Sequence, residues 1–186
     1  MAKLVLIDGH AILHRAYHAL PPTIKFNAIF GFMTMLLRVL ADLKPDHLAV
    51  AFDRPEANFR QQQYTAYQGK RPEMEGNLSD QIPLVHEMLA ALAIPYFEVS
   101  GFEADDCIGT LARQNTGETI IVTGDRDMLQ LVNDHAKVCV PVKGLSETKT
   151  YDAKMIEDEF DVKPSQWVDV KALKGDASDN YSGVRG

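Results

Sequence analysis

The sequence predicts an α/β protein with a mainly parallel central sheet and helices on both faces, for two reasons. Short apolar runs alternate with amphipathic segments of helical length. Several of these runs also end in an acidic residue, and in such sheets ligands collect beyond the carboxyl ends of the strands. The predicted strands are Lys3–Ile7, His47–Phe52, Tyr96–Val99, Thr119–Thr123 and Lys137–Val142.

The helices are predicted from apolar spacing and from the proline residues and polar caps at their ends. Asp152, for example, is expected to cap a helix that runs to Phe160. The helix Asn27–Leu43 is predicted from apolar residues at helical spacing: Phe30, Met33, Leu37 and Leu40. The other predicted helices are His10–Ala19, Gln81–Ala93, one beginning near Glu103, and Pro164–Lys174.

The stretch Gly101–Asp106 places three acids at the start of a predicted helix: Glu103, Asp105 and Asp106. A single acid there would be explained by the partial positive charge of a helix N-terminus. Three acids within four positions repel one another and raise one another's pKa, and a bound cation usually relieves this repulsion. Because oxygen-only ligands suit Mg²⁺ or Mn²⁺, the stretch predicts a metal site.

Other acids follow the ends of predicted strands, and Asp176 and Asp179 occupy a polar turn that alone would be interpreted as a loop. Since parallel strands end at one edge of a sheet, we expect the strand-end acids to converge. The candidate metal-site acids are Asp8, Asp53, Glu103, Asp105, Asp106, Asp125, Asp127, Asp176 and Asp179. Without these nine, the formal charge changes from −7 to +2, so the net charge does not argue against a nucleic-acid partner.

Residues Arg54 to Asp80, here called the arch segment, interrupt the alternation of strands and helices. Such a long connection within a compact domain is functional or disordered, and a solvated surface loop is the alternative. Basic residues alternate there with aromatic ones, a pattern that suits phosphates and bases of a nucleic-acid strand. The basic and aromatic residues of this pattern are Arg54, Phe59, Arg60, Tyr64, Tyr67, Lys70 and Arg71.

Cys107 and Cys139 show no framework or metal-binding spacing, which suggests a reducing compartment. The N-terminus runs directly into a strand, and no apolar stretch is long enough to span a membrane. We therefore expect a soluble, cytoplasmic protein without a membrane partner.

Together these segments resemble the 5′-nuclease domain of bacterial DNA polymerase I and the related phage and flap-endonuclease enzymes. The resemblance runs nearly from end to end and follows the order of the family's motifs. The matching motifs are Val5–Gly9, Ala28–Phe32, Phe52-Asp53, Phe59-Arg60, Gly101–Asp106, Thr123–Asp127 with Gln130-Leu131, and Gly175–Asn180.

The resemblance implies a PIN-like, resolvase-like core in residues 1–150, with the arch segment as its arch or clamp. Residues 151–186 would then begin a truncated helix–hairpin–helix region. It also implies a two-metal phosphodiesterase, a structure-selective 5′ nuclease that removes flaps or primers in DNA replication and repair. Its substrate would be DNA with a 5′ single-stranded flap or end, or an RNA primer, and a polymerase domain would be a partner in cis or in trans.

Within that family, one group of acids is associated with each ion. The first ion is held or oriented by the acids aligned with Asp8, Asp53, Glu103, Asp105 and Asp106. The second is held or oriented by those aligned with Asp125, Asp127, Asp176 and Asp179. Arg60, Tyr67, Lys70 and Arg71 would steer phosphates and bases, with catalytic roles for Lys70 and Arg71.

Three features depart from the family pattern. Gln68 stands where the arch usually has a lysine, and a glutamine cannot supply that charge. The loop from Pro21 to Asn27 is short and lacks the family's glycine. Tyr181 and Ser182 replace the usual Ile-Pro, and the sequence ends at Gly186. Two other functions therefore stay open: a nucleic-acid-binding relic or fragment with weak catalysis, and a PIN-type ribonuclease.

Overall fold

The chain forms alternating strands and helices, described in the computed structural model for residues 2–71, 74–143 and 147–184. Residues 72–73 of the arch segment, and residues 185–186 of the predicted C-terminal region, lie outside the described residues. The strands are β1 (Lys3–Asp8), β2 (His47–Ala51), β3 (Tyr96–Phe97), β4 (Glu118–Val122), β5 (Ala136–Lys143), β6 (Glu147–Tyr151), β7 (Gly175–Asp176) and β8 (Tyr181–Ser182).

The helices connect these strands at nearly every crossover. The α-helices are α1 (Gly9–Ala19), α2 (Asn27–Leu43), α3 (Phe59–Gln63), α4 (Gly76–Ser79), α5 (Ile82–Ala91), α6 (Ala104–Gln114), α7 (Ala153–Phe160) and α8 (Trp167–Lys174). Segments of 3₁₀ helix cover Arg126–Leu131 and Pro164–Gln166. The described helices include none that is long and apolar enough to cross a lipid bilayer.

The central sheet has the strand order β3-β2-β1-β4-β5-β6 among the described residues. Its first five strands are parallel, and β6 pairs antiparallel with β5. In the register of the three central strands, Leu6 lies beside Ala49 and Ile121. This arrangement confirms the predicted mainly parallel α/β fold, whereas β6 and the small β7–β8 hairpin were not predicted.

The sheet separates two hydrophobic cores, because alternate side chains of each strand point to opposite faces. Val5 and Ile7 of β1 belong to the core formed with α1, α2 and α5. Leu6 belongs to the core on the other face, which includes Ile156 of α7 and Trp167 of α8. The layers are therefore helix, sheet and helix, and the segment after residue 150 contributes to the second core.

Helix α2 buries a different face from the one on which its prediction relied. Phe30 and Leu37 are each 59% exposed, whereas Phe32 is 0% exposed and Leu36 is 1% exposed. Apolar residues occur nearly all round this helix, so their spacing alone cannot select the buried side. Gly31 marks the buried side, because α2 packs closely on α1 at this position: a Cβ on Gly31 would lie 2.6 Å from the Cβ of Ala16.

The arch segment contains two short helices, α3 and α4, rather than one continuous helix. Asn58 caps α3 by accepting a hydrogen bond from the Gln61 N–H, while the Gln61 side chain accepts one from the Asn58 N–H. Residues 65–70 form turns, and Gln68 has a left-handed backbone with φ of 56°. Because Gln68 and Lys70 do not lie on a helix, the angle between their side chains cannot be inferred from a period of 3.6 residues per turn.

Candidate active site

The carboxyl end of β1 carries Asp8, whose carboxylate is held from two sides. One oxygen accepts a 3.0 Å hydrogen bond from the Ala11 N–H at the start of α1, and the other accepts a 2.7 Å bond from the Thr123 hydroxyl. The Thr123 oxygen in turn accepts the N–H of Asp125 at 3.0 Å. Asp8 and Asp125 are thus linked through Thr123 across the β1–β4 pair. Glycine is needed at position 9, because a Cβ there would lie 2.3 Å from the ring of Phe52.

Asp53 follows the end of β2 and connects it to the start of α6. Its carboxylate accepts a 2.7 Å hydrogen bond from the Ala104 N–H, and its own N–H donates to His10 Nδ1 at 3.0 Å. This contact holds the first turn of α6 against the sheet edge, where Asp105 is the next residue of the helix. Four carboxylates thus share this edge of the sheet, here called the acid edge. They are called the first acid cluster: Asp8, Asp53, Asp105 and Asp125.

The first acid cluster is strongly repulsive without a cation. Burial and the negative charges of Asp8, Asp125, Asp53 and Glu103 raise the pKa of Asp105 to about 8. Burial is also the main reason that the pKa of Asp8 rises to about 6. Protons therefore remain on these carboxyl groups at pH values where ordinary aspartates are ionised.

Asp127, Asp176 and Asp179 form a second group, the second acid cluster, in which one oxygen of each lies within 4.8 Å of the others. Asp127 lies in the first turn of the 3₁₀ helix after β4, Asp176 is the last residue of β7, and Asp179 lies in the turn between β7 and β8. Lys171 of α8 lies between two of them, with Nζ 2.5 Å from Asp127 Oδ1 and hydrogen-bonded to Asp176 Oδ2. Burial alone would raise the pKa of Asp176, but the hydrogen bonds from Lys171 and Ser178 hold it well below its ordinary value.

Glu103 and Asp106, at the N-terminus of α6, are held by Arg60 of the arch segment. The Arg60 guanidinium donates two hydrogen bonds, of 2.7 and 2.8 Å, to the oxygens of Asp106. It also lies 3.0 Å from Glu103 Oε2. Burial would raise the pKa of Asp106, and this arginine with the Glu103 N–H lowers it below the ordinary value.

Other arch residues also contact acids. Tyr67 and Gln68 donate hydrogen bonds of 3.1 and 3.0 Å to Glu103, and Arg71 donates one of 2.9 Å to Asp179. Lys70 is exposed and makes no hydrogen bond or ion pair with any described residue. In this conformation the arch segment therefore bridges Glu103 and Asp179, and Lys70 alone of the four predicted DNA contacts has no such partner in the described chain.

All nine predicted acids lie along the sheet edge or at the adjoining β7–β8 hairpin. Eight of them, all except Asp176, border a groove of about 2310 Å³ that the arch segment also lines. The structure groups Asp125 with Asp8 and Asp105, while the oxygens of Asp106 are occupied by Arg60. Sequence reasoning did not identify Lys171 or Thr123. Lys171 could have been recognised as a cation one and a half turns before Asp176.

The amino-acid sequence is similar to a nuclease domain family and to bacterial DNA polymerases. The family model for the "5′-3′ exonuclease, N-terminal resolvase-like domain" matches residues 3–161. DNA polymerase I of Bacillus caldotenax is 41% identical over 192 residues, which cover 99% of this chain and 22% of that protein. DNA polymerase I of Chloroflexus aurantiacus is 43% identical over 199 residues, covering 98% of this chain and 21% of that protein. The chain thus spans about a fifth of the length of these relatives.

Solved structures show the same fold. A T5 5′-exonuclease with bound zinc superimposes with a TM-score of 0.76 at 22% identity, covering 99% of this chain and 70% of that one. The catalytic core of Rad2 in complex with a DNA substrate gives a TM-score of 0.64 at 20% identity, covering 100% of this chain and 56% of that one. From the family match and the relatives, this chain belongs to the 5′-3′ exonuclease family with an N-terminal resolvase-like domain.

Proposed function

We propose that this chain is a metal-dependent, structure-selective 5′ nuclease that hydrolyses phosphodiester bonds in DNA with a 5′ single-stranded flap or end. The observation that carries the proposal is the convergence of two acid clusters in one groove that the arch segment also lines. Membership of the 5′-3′ exonuclease family and the similarity to DNA polymerase I support it. RNA primers as further substrates, and a polymerase domain in cis or in trans, are part of the same proposal.

The carboxylates fit divalent cations such as Mg²⁺ or Mn²⁺, because these hard ions prefer oxygen ligands. Asp127 Oδ1 is buried and lies beside a positive charge, the Lys171 ammonium at 2.5 Å, so this position accepts a cation. Burial and the neighbouring carboxylates raise the pKa of Asp105 to about 8. The first and second acid clusters would hold one ion each. When bound, the two ions would supply an activated water and stabilise the leaving oxygen of the cut strand.

The protein's own residues set the geometry for this chemistry. Thr123 holds Asp8 and Asp125 in fixed orientations, and Arg60 holds the N-terminal acids of α6. Lys70 is available for a phosphate contact, and Arg71 could exchange Asp179 for a phosphate when DNA enters. A DNA strand in the groove would meet Arg71, which lines it, beside the carboxylates.

The test is cleavage of a 5′-labelled flap DNA with Mg²⁺, with Mn²⁺ or with EDTA, beside Asp125→Ala. We expect cleavage that needs the metal and falls about a thousandfold in Asp125→Ala, since the first acid cluster then loses a ligand. Asp169→Ala, which removes an exposed acid on α8, is the matched control and should cut like the wild type. Cutting in EDTA, or full activity of Asp125→Ala, would contradict the proposal. Preference for an all-RNA substrate would favour a ribonuclease.

A second candidate function is DNA binding with weak catalysis, and Gln68 is the observation that favours it. Its uncharged side chain donates a hydrogen bond to Glu103 and offers no positive charge to a phosphate. The wild type would then bind flap DNA and bind metal but turn over slowly.

Gln68→Lys tests this candidate. A lysine at this position would place a positive charge beside the acid edge, so we expect cleavage to rise about tenfold or more at saturating DNA. Gln62→Lys adds the same charge at an exposed position of α3 and serves as the control. Equal rates for Gln68→Lys and the wild type would show that the missing charge does not limit the reaction.

A further inference from the structure

Lys171 is the one lysine of α8 whose ammonium contacts the second acid cluster. Its side chain is 29% exposed, while those of its partners Asp127 and Asp176 are 22% and 7% exposed. Helix α8 ends at Lys174 with Gly175 as its C-cap, and Lys171 extends over the last turn of the helix to Asp176 at the end of β7. Lys174, one turn later on the same helix, is exposed to solvent.

The ammonium occupies a place that suits a cation with oxygen ligands. The three carboxylates of the second acid cluster offer oxygens within 4.8 Å of one another, and Lys171 Nζ contacts two of them. The contact with Asp127 Oδ1 is an ion pair without hydrogen-bond alignment, whereas Asp176 Oδ2 accepts a hydrogen bond. The third acid, Asp179, is paired with Arg71 instead. Lys171 therefore compensates Asp127 and Asp176 on its own.

This inference rests on the proposed function: we propose that Lys171 is a resident cation of the second acid cluster that competes with the divalent ion for Asp127 and Asp176. The ammonium and the ion would use the same carboxylate oxygens, and two cations sharing them would repel each other. Lysine has a long flexible side chain, and this one is partly open to solvent, so it can leave without movement of the helix.

Competition predicts opposite effects of removing the charge in the absence and presence of metal. Without metal, Lys171→Met leaves buried carboxylates uncompensated, which destabilises the fold. With metal, the divalent ion does not have to displace an ammonium in this variant, so the ion binds more tightly. A lysine that instead served to position the acids for the ion would give weaker metal binding when removed.

Titration of Mn²⁺ into the metal-free protein, followed by calorimetry and by electron paramagnetic resonance, tests the proposal without relying on cleavage. We expect one Mn²⁺ to bind Lys171→Met about tenfold or more tightly than the wild type, within the usual range of coupling between sites. Lys171→Arg keeps the charge and should resemble the wild type. Lys174→Met removes an exposed lysine from the same helix and should also leave binding unchanged. Equal or weaker Mn²⁺ binding by Lys171→Met would overturn the proposal.

Lys171→Met is the variant with the greatest risk of misfolding, so a second measurement uses the wild-type chain. An ammonium held in two ion pairs exchanges its protons more slowly than a free one, so its side-chain ¹⁵N signal can be followed by NMR. We expect the Lys171 signal, assigned through Lys171→Arg, to be present without metal and lost when Mg²⁺ fills the second acid cluster. A signal unchanged at saturating Mg²⁺ would overturn the proposal.

Failure of this inference can be distinguished from failure of the proposed function. If the wild type binds Mn²⁺ and cuts flap DNA but Lys171→Met binds no more tightly, only the role of Lys171 is wrong. If neither protein binds Mn²⁺, the metal-dependent nuclease and the competition both fail.

Discussion

Asp105→Asn is expected to abolish cleavage and, at the same time, to stabilise the metal-free protein. The pKa of Asp105 is raised to about 8, because this acid is buried and lies among Asp8, Asp53, Asp125 and Glu103. Its carboxylate is needed for a cation but is unfavourable without one. Asparagine removes the charge and keeps the shape, so the free energy of unfolding should rise by several kcal/mol in EDTA at pH 8.

The direction of the pH dependence follows from the raised pKa. Below about pH 4, the Asp105 carboxyl is protonated in both the folded and the unfolded chain, and it costs no stability. Between about pH 4 and pH 8 the unfolded chain releases the proton while the folded chain keeps it. The wild type should therefore lose stability progressively across this range as the pH rises, and Asp105→Asn should lose less.

Urea unfolding of both proteins in EDTA at several pH values measures this difference, and flap cleavage with Mg²⁺ measures the loss of activity, expected to be about a thousandfold. Asp169→Asn, at an exposed position, controls for the change in net charge. A variant that is less stable than the wild type at pH 8, or that still cuts DNA well, would show that the first acid cluster is not a strained cation site.

Phe32→Ala is expected to cost about 3–5 kcal/mol of unfolding free energy, the usual range for a buried phenylalanine. Phe32 is 0% exposed and lies in the core that α1, α2 and α5 form with the sheet. Phe30→Ala provides the matched control, since the same side chain two residues earlier on α2 is 59% exposed. We expect that control to change the stability by less than about 1 kcal/mol.

Chemical denaturation of the two variants decides between the two faces of α2. A larger loss for Phe30→Ala than for Phe32→Ala would mean that the helix is rotated relative to the structure described here. Because α1 begins directly after Asp8 and packs on α2 through Ala16 and Gly31, a rotation would also disturb the acid edge. The comparison therefore tests the placement of the helices that support the acid edge, as well as the packing of the core.

The fold and the acid edge could be predicted because they depend on features that lie close together in the sequence. Apolar runs identify the parallel strands, and the acids that follow them must meet at one edge of the sheet. The strand β6 could not be identified in this way, because its residues are mostly polar and only Tyr151 is fully buried. Polar residues are common on edge strands, where they prevent pairing with other chains.

The contacts that cross the groove could not be read from local patterns. Arg60 and Arg71 belong to a basic-aromatic stretch that suits phosphates, yet in the folded chain they pair with Asp106 and Asp179. Each pairing joins segments at least 46 residues apart, and which partner a flexible arginine selects depends on the turns between residues 65 and 70. For Lys171, only the contact with Asp176 has a local signal, since its other partner, Asp127, lies far from it in the sequence.

The strand order also determines when the site can form during synthesis. β1 lies at the centre of the sheet, but its neighbour β4 begins only at Glu118. A growing chain can pair β1 with β2 early, and the other side of β1 then stays an open edge until β4 leaves the ribosome. Asp8 gains its Thr123 partner at that point, and the second acid cluster is complete only once Asp179 has been added. The carboxylates therefore come together late in the chain, and a product that stops between residues 128 and 175 carries the first acid cluster with an incomplete second one.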